Sequence, residues 1–153
     1  MAEFTKEQFM ASQAKNTALL EKYAHLISKK NCGLDISPGW YDIVERLFEI
    51  LEASGFKDIR VQQIKEKFGG LRFYYEGGDR GLYDKIEKVE SQAYQTCDIC
   101  SAEGEVTNSE SGWRITRCKE HARTAWPEIT AKDWSTLDKA RNKIKNKFSP
   151  EEE

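Results

Sequence analysis

The chain has 153 residues, 39% of them hydrophobic and 33% charged, with a formal net charge of −2. That length predicts one domain with a modest core, and the weak acidity excludes a global attraction to nucleic acid or acidic membranes, so any such binding falls to local patches. Met1-Ala2-Glu3-Phe4 lacks the basic start and apolar run of a secretory leader, and no stretch approaches a bilayer-spanning length, so the expected location is the cytoplasm.

In chain order, Thr5 and Gln8 fit a capping box and Phe4 and Phe9 a hydrophobic staple, which predicts a helix from Lys6 to Lys30 with Gly33 as its stop. Ser37 and Pro38 restart the chain as N-cap and first helical residue. Trp40, Ile43, Val44, Leu47 and Leu51 then form one apolar stripe of a second helix that ends before Gly55. From Ile59 to Glu76, β-branched and aromatic residues broken by Gly69-Gly70 predict two strands joined by a tight turn. Leu71, Phe73 and Tyr75 share one face, with Arg72 and Tyr74 on the other. Ile59 and Val61 differ in parity from Ile64, which calls for a bulge or a shifted register. After Gly77-Gly78-Asp79, a simple turn by its residues, Leu82, Ile86, Val89 and Ala93 indicate a third helix that leads directly to Cys97.

Cys97-x2-Cys100-x17-Cys118-x2-His121 is the most specific pattern in the chain. Two close pairs of soft ligands a loop apart complete a tetrahedral zinc shell, and a histidine in the fourth place with a reducing compartment favours metal over disulfides. Four protein ligands leave no open position for water or substrate, so the zinc is expected to be structural. Between the pairs, Val106 and Trp113 to Thr116 suggest a short second hairpin bracketed by Gly104 and Gly112, and Cys118 to Arg123 reads as helical up to Pro127. A knuckle, a hairpin and a helix-borne ligand pair resemble a treble clef. A last helix carries Trp134, Leu137, Arg141, Ile144 and Phe148, and the tail from Ser149 is expected to fray.

Outside the metal pattern, Lys65 to Tyr75 gathers cations and aromatic rings on one turn, a composition that can pair with phosphate and stack on bases. Packing of the same rings against the helices is the bland alternative. The last helix offers a local basic patch, Lys132, Lys139, Arg141, Lys143, Lys145 and Lys147 against Asp133 and Asp138, equally explained as a solvated face. Catalytic signals are weak. His25 stands between Ala24 and Leu26, Cys32 near Lys29 and Lys30 has no assigned base, and Asp42, Glu45, Glu49 and Glu52 with Arg46 suit a solvated helix face. The His-x-Glu signature of zinc deaminases is absent.

Gly39-Trp40-Tyr41, the run Lys67-Phe68-Gly69-Gly70-Leu71-Arg72-Phe73-Tyr74 and the metal pattern with Gly112-Trp113 together resemble a group of small proteins of bacteriophage and prophage genomes, in which such a run precedes a zinc pair. The resemblance spans residues 38–122. It implies a phage accessory role, such as interference with host defence or host transcription, and carries no agreed activity.

The resulting expectation is an α+β domain, with helices packed on a β-hairpin over residues 1–96, a treble-clef-like zinc subdomain at 97–126 and a C-terminal helix at 130–148. Its expected function is non-enzymatic recognition of an anionic ligand, nucleic acid or nucleotide, through Trp40, Lys65, Lys67, Arg72, Tyr74 and Trp113. One alternative is an inhibitor that docks exposed aromatics on a host protein. The other is a metal-dependent nuclease or hydrolase whose acidic site assembles from residues distant in sequence.

Overall fold

The computed structural model describes residues 3–150 and is α+β, with four α-helices and two small antiparallel hairpins. The helices are α1 (Lys6–Lys22), α2 (Tyr41–Ala53), α3 (Arg80–Glu90) and α4 (Ala131–Asn142); β1 (Arg60–Lys67) pairs with β2 (Gly70–Glu76), and β3 (Glu105–Asn108) with β4 (Arg114–Arg117). Among the described residues no helix is long and apolar enough to cross a membrane.

Helix α1 begins as its sequence demands. The Thr5 hydroxyl accepts the Gln8 N–H at 3.1 Å, the Gln8 side chain accepts the Thr5 N–H at 2.8 Å, and the Phe4 and Phe9 rings meet edge to face. It stops at Lys22, well short of Lys30. A single 3-10 turn follows, and the chain then becomes extended because Ile27 and Leu34 pair in parallel with Val61 and Ile64 of β1. Gly33 therefore belongs to this flanking segment, where its carbonyl accepts the Ile64 N–H at 2.9 Å, and caps no helix. Buried Asn16 fastens the segment to α1 through Ile36 O at 2.9 Å.

The β1–β2 hairpin contains the bulge its parity required, with the register shifting between Val61 and Gln63. Its two-residue turn is Phe68-Gly69, one position earlier than the glycine pair suggested, and both residues have positive φ (54° and 81°). Leu71 and Phe73 enter the core with Val61 and Ile64, and Tyr75 packs against its edge. The face opposite carries Lys65, Lys67, Arg72 and Tyr74. Helix α2 contributes its whole stripe to the same core, joined by Leu82 and Ile86 of α3 and by Ala93. Asp79 caps α3 through the Leu82 N–H at 2.9 Å.

Trp40 sits at the bottom of this core, 1% exposed, with its indole N–H donating to Thr96 O at 2.9 Å. Beside it, the Gly39 N–H donates to Asp98 O at 2.8 Å and Gly39 O accepts the Ser101 hydroxyl at 2.7 Å. The pair thus clamps residues 96–101 onto the core. A Cβ on Gly39 would lie 1.9 Å from Cys97 O. Gly39→Ala is accordingly expected to cost about 3 kcal/mol, the upper end for overpacking, and to lower metal content along with the melting temperature. A thermal melt with metal analysis of the purified variant checks both.

The last helix also differs from its expectation, because α4 ends at Asn142 instead of running to Phe148. Beyond it Ile144 and Phe148 turn inward to the main core, and Ser149, expected to fray, pairs with Ser28; its N–H donates to Ile27 O at 2.7 Å and its carbonyl accepts the Lys29 N–H at 2.8 Å. Residues 151–153 of that tail lie outside the described residues.

At its other end α4 meets α1 through Phe9 and Trp134 and through the Lys6–Asp133 ion pair at 2.7 Å. The Lys6 ammonium, together with Thr130, holds the Asp133 carboxyl at about 2, below its ordinary 3.8. A depressed carboxylate stabilises the fold only while ionised, so this contribution is complete above the ordinary value and disappears as pH falls from about 4 towards 2. An acid titration followed by tryptophan fluorescence should show this loosening next to Trp134, and Asp133→Asn should abolish the transition.

Candidate metal centre and the groove beside it

The knuckle Cys97-Asp98-Ile99-Cys100 is closed by the Cys97 N–H to Ala102 O at 2.8 Å and the Ser101 N–H to Cys97 O at 3.1 Å, with Ser101 in the left-handed region at φ 71°. The second ligand pair lies just past β4, which brings it back against the knuckle through the Asp98 N–H to Thr116 O bond at 3.0 Å. The ligand atoms of Cys97, Cys100, Cys118 and His121 all fall within 4.8 Å of one another. The Cys100 and Cys118 sulfurs are 3.6 Å apart, and His121 Nδ1 lies 3.3 Å from the Cys118 sulfur and 3.9 Å from that of Cys97. A tetrahedral shell with metal–sulfur bonds near 2.3 Å places its sulfurs about 3.8 Å apart, so the four residues are positioned to hold a metal ion.

Electrostatics argue the same way. Burial pushes the Cys100 thiol up to about 11, and the Cys118 and Cys97 sulfurs beside it add to the rise, although the Ala102 N–H favours its thiolate. Burial also opposes ionisation of Cys118, yet N–H groups of His121 and Glu120 and the neighbouring thiols outweigh it and lower that group. Three crowded sulfurs carry charge together only when a cation compensates them.

Arg117 organises the space behind the ligands. It is 4% exposed, its Nε donates to the buried Asp98 carboxylate, and its Nη1 donates to His121 O at 3.1 Å and Thr124 O at 2.9 Å. One guanidinium thereby touches the knuckle and the loop that bears the second pair. Burial pushes Asp98 up to about 6 even against the attraction of Arg117. The same carbonyl contacts explain a failed expectation. Residues 119–123 form turns, not a helix, because the His121 and Thr124 carbonyls face Arg117, and 124–130 has no regular secondary structure. The helix that a treble clef places at its second ligand pair is absent among the described residues.

The centre is packed into the molecule. Cys97 and Ile99 form a second small core with Phe4 and Phe9, flanked by Met10, Ile129 and Leu137. On the other side the two hairpins meet, since the Thr116 hydroxyl donates to Gly69 O and a Cβ on Gly69 would touch Thr116 and Val106. Gly70 is equally constrained, its Cβ position falling 2.3 Å from the Tyr94 ring.

Where the hairpins meet, a groove of about 720 Å3 opens between the β1–β2 turn, the β3–β4 turn and the loop after His121. Lys65, Lys67, Arg114 and Arg123 supply cations, and Phe68, Trp113 and Trp126 supply rings. None of these four cations forms an ion pair among the described residues. Glu66 and Glu110 are the acids at its rim, and Glu66 is engaged by the Gly69 N–H at 2.7 Å.

Of the six ligand-binding candidates read from the sequence, Lys65, Lys67 and Trp113 come together here. Trp40 is corrected: its ring is core and its N–H is spent on Thr96. Arg72 and Tyr74 share a strand face with Lys65, whose Nζ lies 5.9 Å from the Tyr74 ring, but they do not line the groove. Arg114, Arg123 and Trp126 were missed, and Phe68 lay within the Lys65 to Tyr75 run without being singled out. An aromatic residue directly before the glycine of a tight turn, and an arginine two positions past the last ligand, were the available signals. The basic residues of α4 and its extension lie outside the groove, with Lys147 3.5 Å from Glu21. His25 is a surface residue bonded to Glu52 at 2.6 Å. The Cys3His cluster is consistent with the zinc motif read from the sequence. Compared with protein-family models, curated proteins and solved structures, the chain matches none.

Proposed function

We propose that the protein is a non-enzymatic, zinc-stabilised binding protein that recognises an anionic ligand, nucleic acid or nucleotide, through the groove between its two hairpin turns. The observation that carries this reading is the convergence on one groove of three aromatic rings and four cations that form no ion pair among the described residues, Lys65 and Lys67 lying only over the rings of Tyr74 and Phe68. Zinc suits the donor set, three thiolates and one imidazole in tetrahedral reach, and when bound it supplies cross-linking of the two ligand pairs rather than a reactive water. The chain's own residues then present the ligand surface: the loop that carries His121 continues into Arg123 and Trp126, so fixing the ligand pair fixes one wall of the groove. A phage accessory role in a host cytoplasm fits such a module.

Native mass spectrometry of the freshly purified chain tests the reading in one spectrum. One zinc per chain is expected, along with retention of an added polyanion that weakens as salt rises. Arg114→Glu with Arg123→Glu should abolish that retention while leaving zinc in place. Retention of a host protein after nuclease treatment, with no response to polyanions, would favour the inhibitor reading instead.

A further inference from the structure

The groove lies open to solvent, and this separates the two ligand classes named above. A mononucleotide gains affinity when a pocket covers most of its surface. Here the Phe68 and Trp113 rings are 61% and 73% exposed, with the Lys67 ammonium 5.5 Å from the centroid of the Phe68 ring. Phe68 also occupies a left-handed backbone position, φ 54°, that a bulky residue adopts at some cost, and so exposed a ring gains little packing to offset it. Trp113 is presented from an ordered turn, with its carbonyl bonded to the Ser109 N–H at 2.7 Å and its own N–H to the Ser109 hydroxyl at 3.1 Å. Stacking on such rings needs bases whose faces are bare. Bases within a duplex are covered by their neighbours, whereas a single strand offers bare faces with a phosphate at every step.

We infer that the groove binds single-stranded nucleic acid, with Phe68 and Trp113 each stacking an unpaired base and Lys65, Lys67, Arg114 and Arg123 neutralising phosphates. The inference rests on the anionic-ligand reading and narrows it. Stacking is indifferent to base identity, so binding is weakly sequence-dependent.

Fluorescence anisotropy of the full metal-bound chain with a labelled oligothymidine of about twelve nucleotides tests it, against a duplex of equal length and ATP as competitors. The single strand should bind at least roughly tenfold more tightly than the duplex, and Phe68→Ala and Trp113→Ala should each weaken it roughly tenfold with metal content unchanged. Trp113→Phe, which keeps a ring, should restore most of the affinity. If Trp113→Ala sheds its metal, Phe68→Ala and Trp113→Phe carry the comparison. Equal or tighter binding of the duplex, or ring variants that bind like the parent, would overturn the inference. ATP binding as tight as the oligomer would overturn it too but leave the anionic-ligand reading intact, and no binding of any of the three at low salt would remove both.

Discussion

A chelator is expected to unfold the region from Cys97 to Trp126 while most of the remaining fold survives. The large core, built from α1, α2, the first hairpin and α3, contains none of the four ligands, which sit instead against the small cluster of Phe4, Phe9 and Ile99. Without an ion the region is left with two four-residue strands, its turns and its contacts to Gly39, Trp40 and Gly69, and structural zinc sites contribute about 10 kcal/mol or more to comparable small folds. Hydrogen exchange should show protection lost at Asp98, Thr116 and Arg117 and kept in α2 and β1. Cys118→Ser should reproduce the pattern without chelator, since it removes the ligand that bridges Cys100 and His121. Trp113 and Trp126 make the change visible by fluorescence, and ligand binding through the groove should disappear in parallel. A single cooperative melt of the whole chain on chelation would show that the knuckle, through Gly39 and Trp40, is integral to the main core.

Arg117→Ala should be the most damaging substitution that leaves all four ligands in place. It strands Asp98, which is 4% exposed and has no other ion-pair partner among the described residues, and it removes two bonds that hold the loop of the second ligand pair. Breaking one side of a buried pair costs about 3–5 kcal/mol, and disturbing a supporting shell lowers metal affinity about 10- to 100-fold. The indole of Trp126, 5.8 Å from the guanidinium carbon, loses this cation–π contact as well and keeps its edge-to-face packing on Phe4 and Phe9. A double-mutant cycle with Asp98→Asn measured by denaturant unfolding separates these effects. Asp98→Asn should recover part of the loss in the Arg117→Ala background, because the charge is gone, but not the carbonyl contacts. Recovery of the full stability would mean that Arg117 serves only to neutralise Asp98.

The parts of this molecule legible in its sequence are those set by neighbours along the chain. Thr5 and Gln8 announce the start of α1 because both partners of the capping box lie within one turn, and the stripe from Trp40 to Leu51 announces α2 because one periodicity governs it. The cysteine and histidine spacing gave the ligand set for the same reason: each pair is local, and metal geometry supplies the one long-range link. What escaped notice was set by distant partners. Nothing near Ala24 signals that α1 must end so that Ile27 can pair with Val61. Nothing near His121 signals that its carbonyl faces Arg117 and so forgoes a helix. Trp40 illustrates the limit most sharply, since an indole beside glycine reads equally as a binding platform or as a core residue with one polar bond, and only the position of Thr96 decides.

The return of Ser149 to Ser28 also bears on how the chain is made. Its hydroxyl bonds to His25 O across 124 residues of sequence, and Phe148 closes the core between them. During synthesis the first helix emerges long before this closing segment exists. The nascent chain must therefore carry an open seam beside Ile27 through most of translation, with its edge protected by β1 alone, and the native state is reached in a late step after residue 149 clears the ribosome.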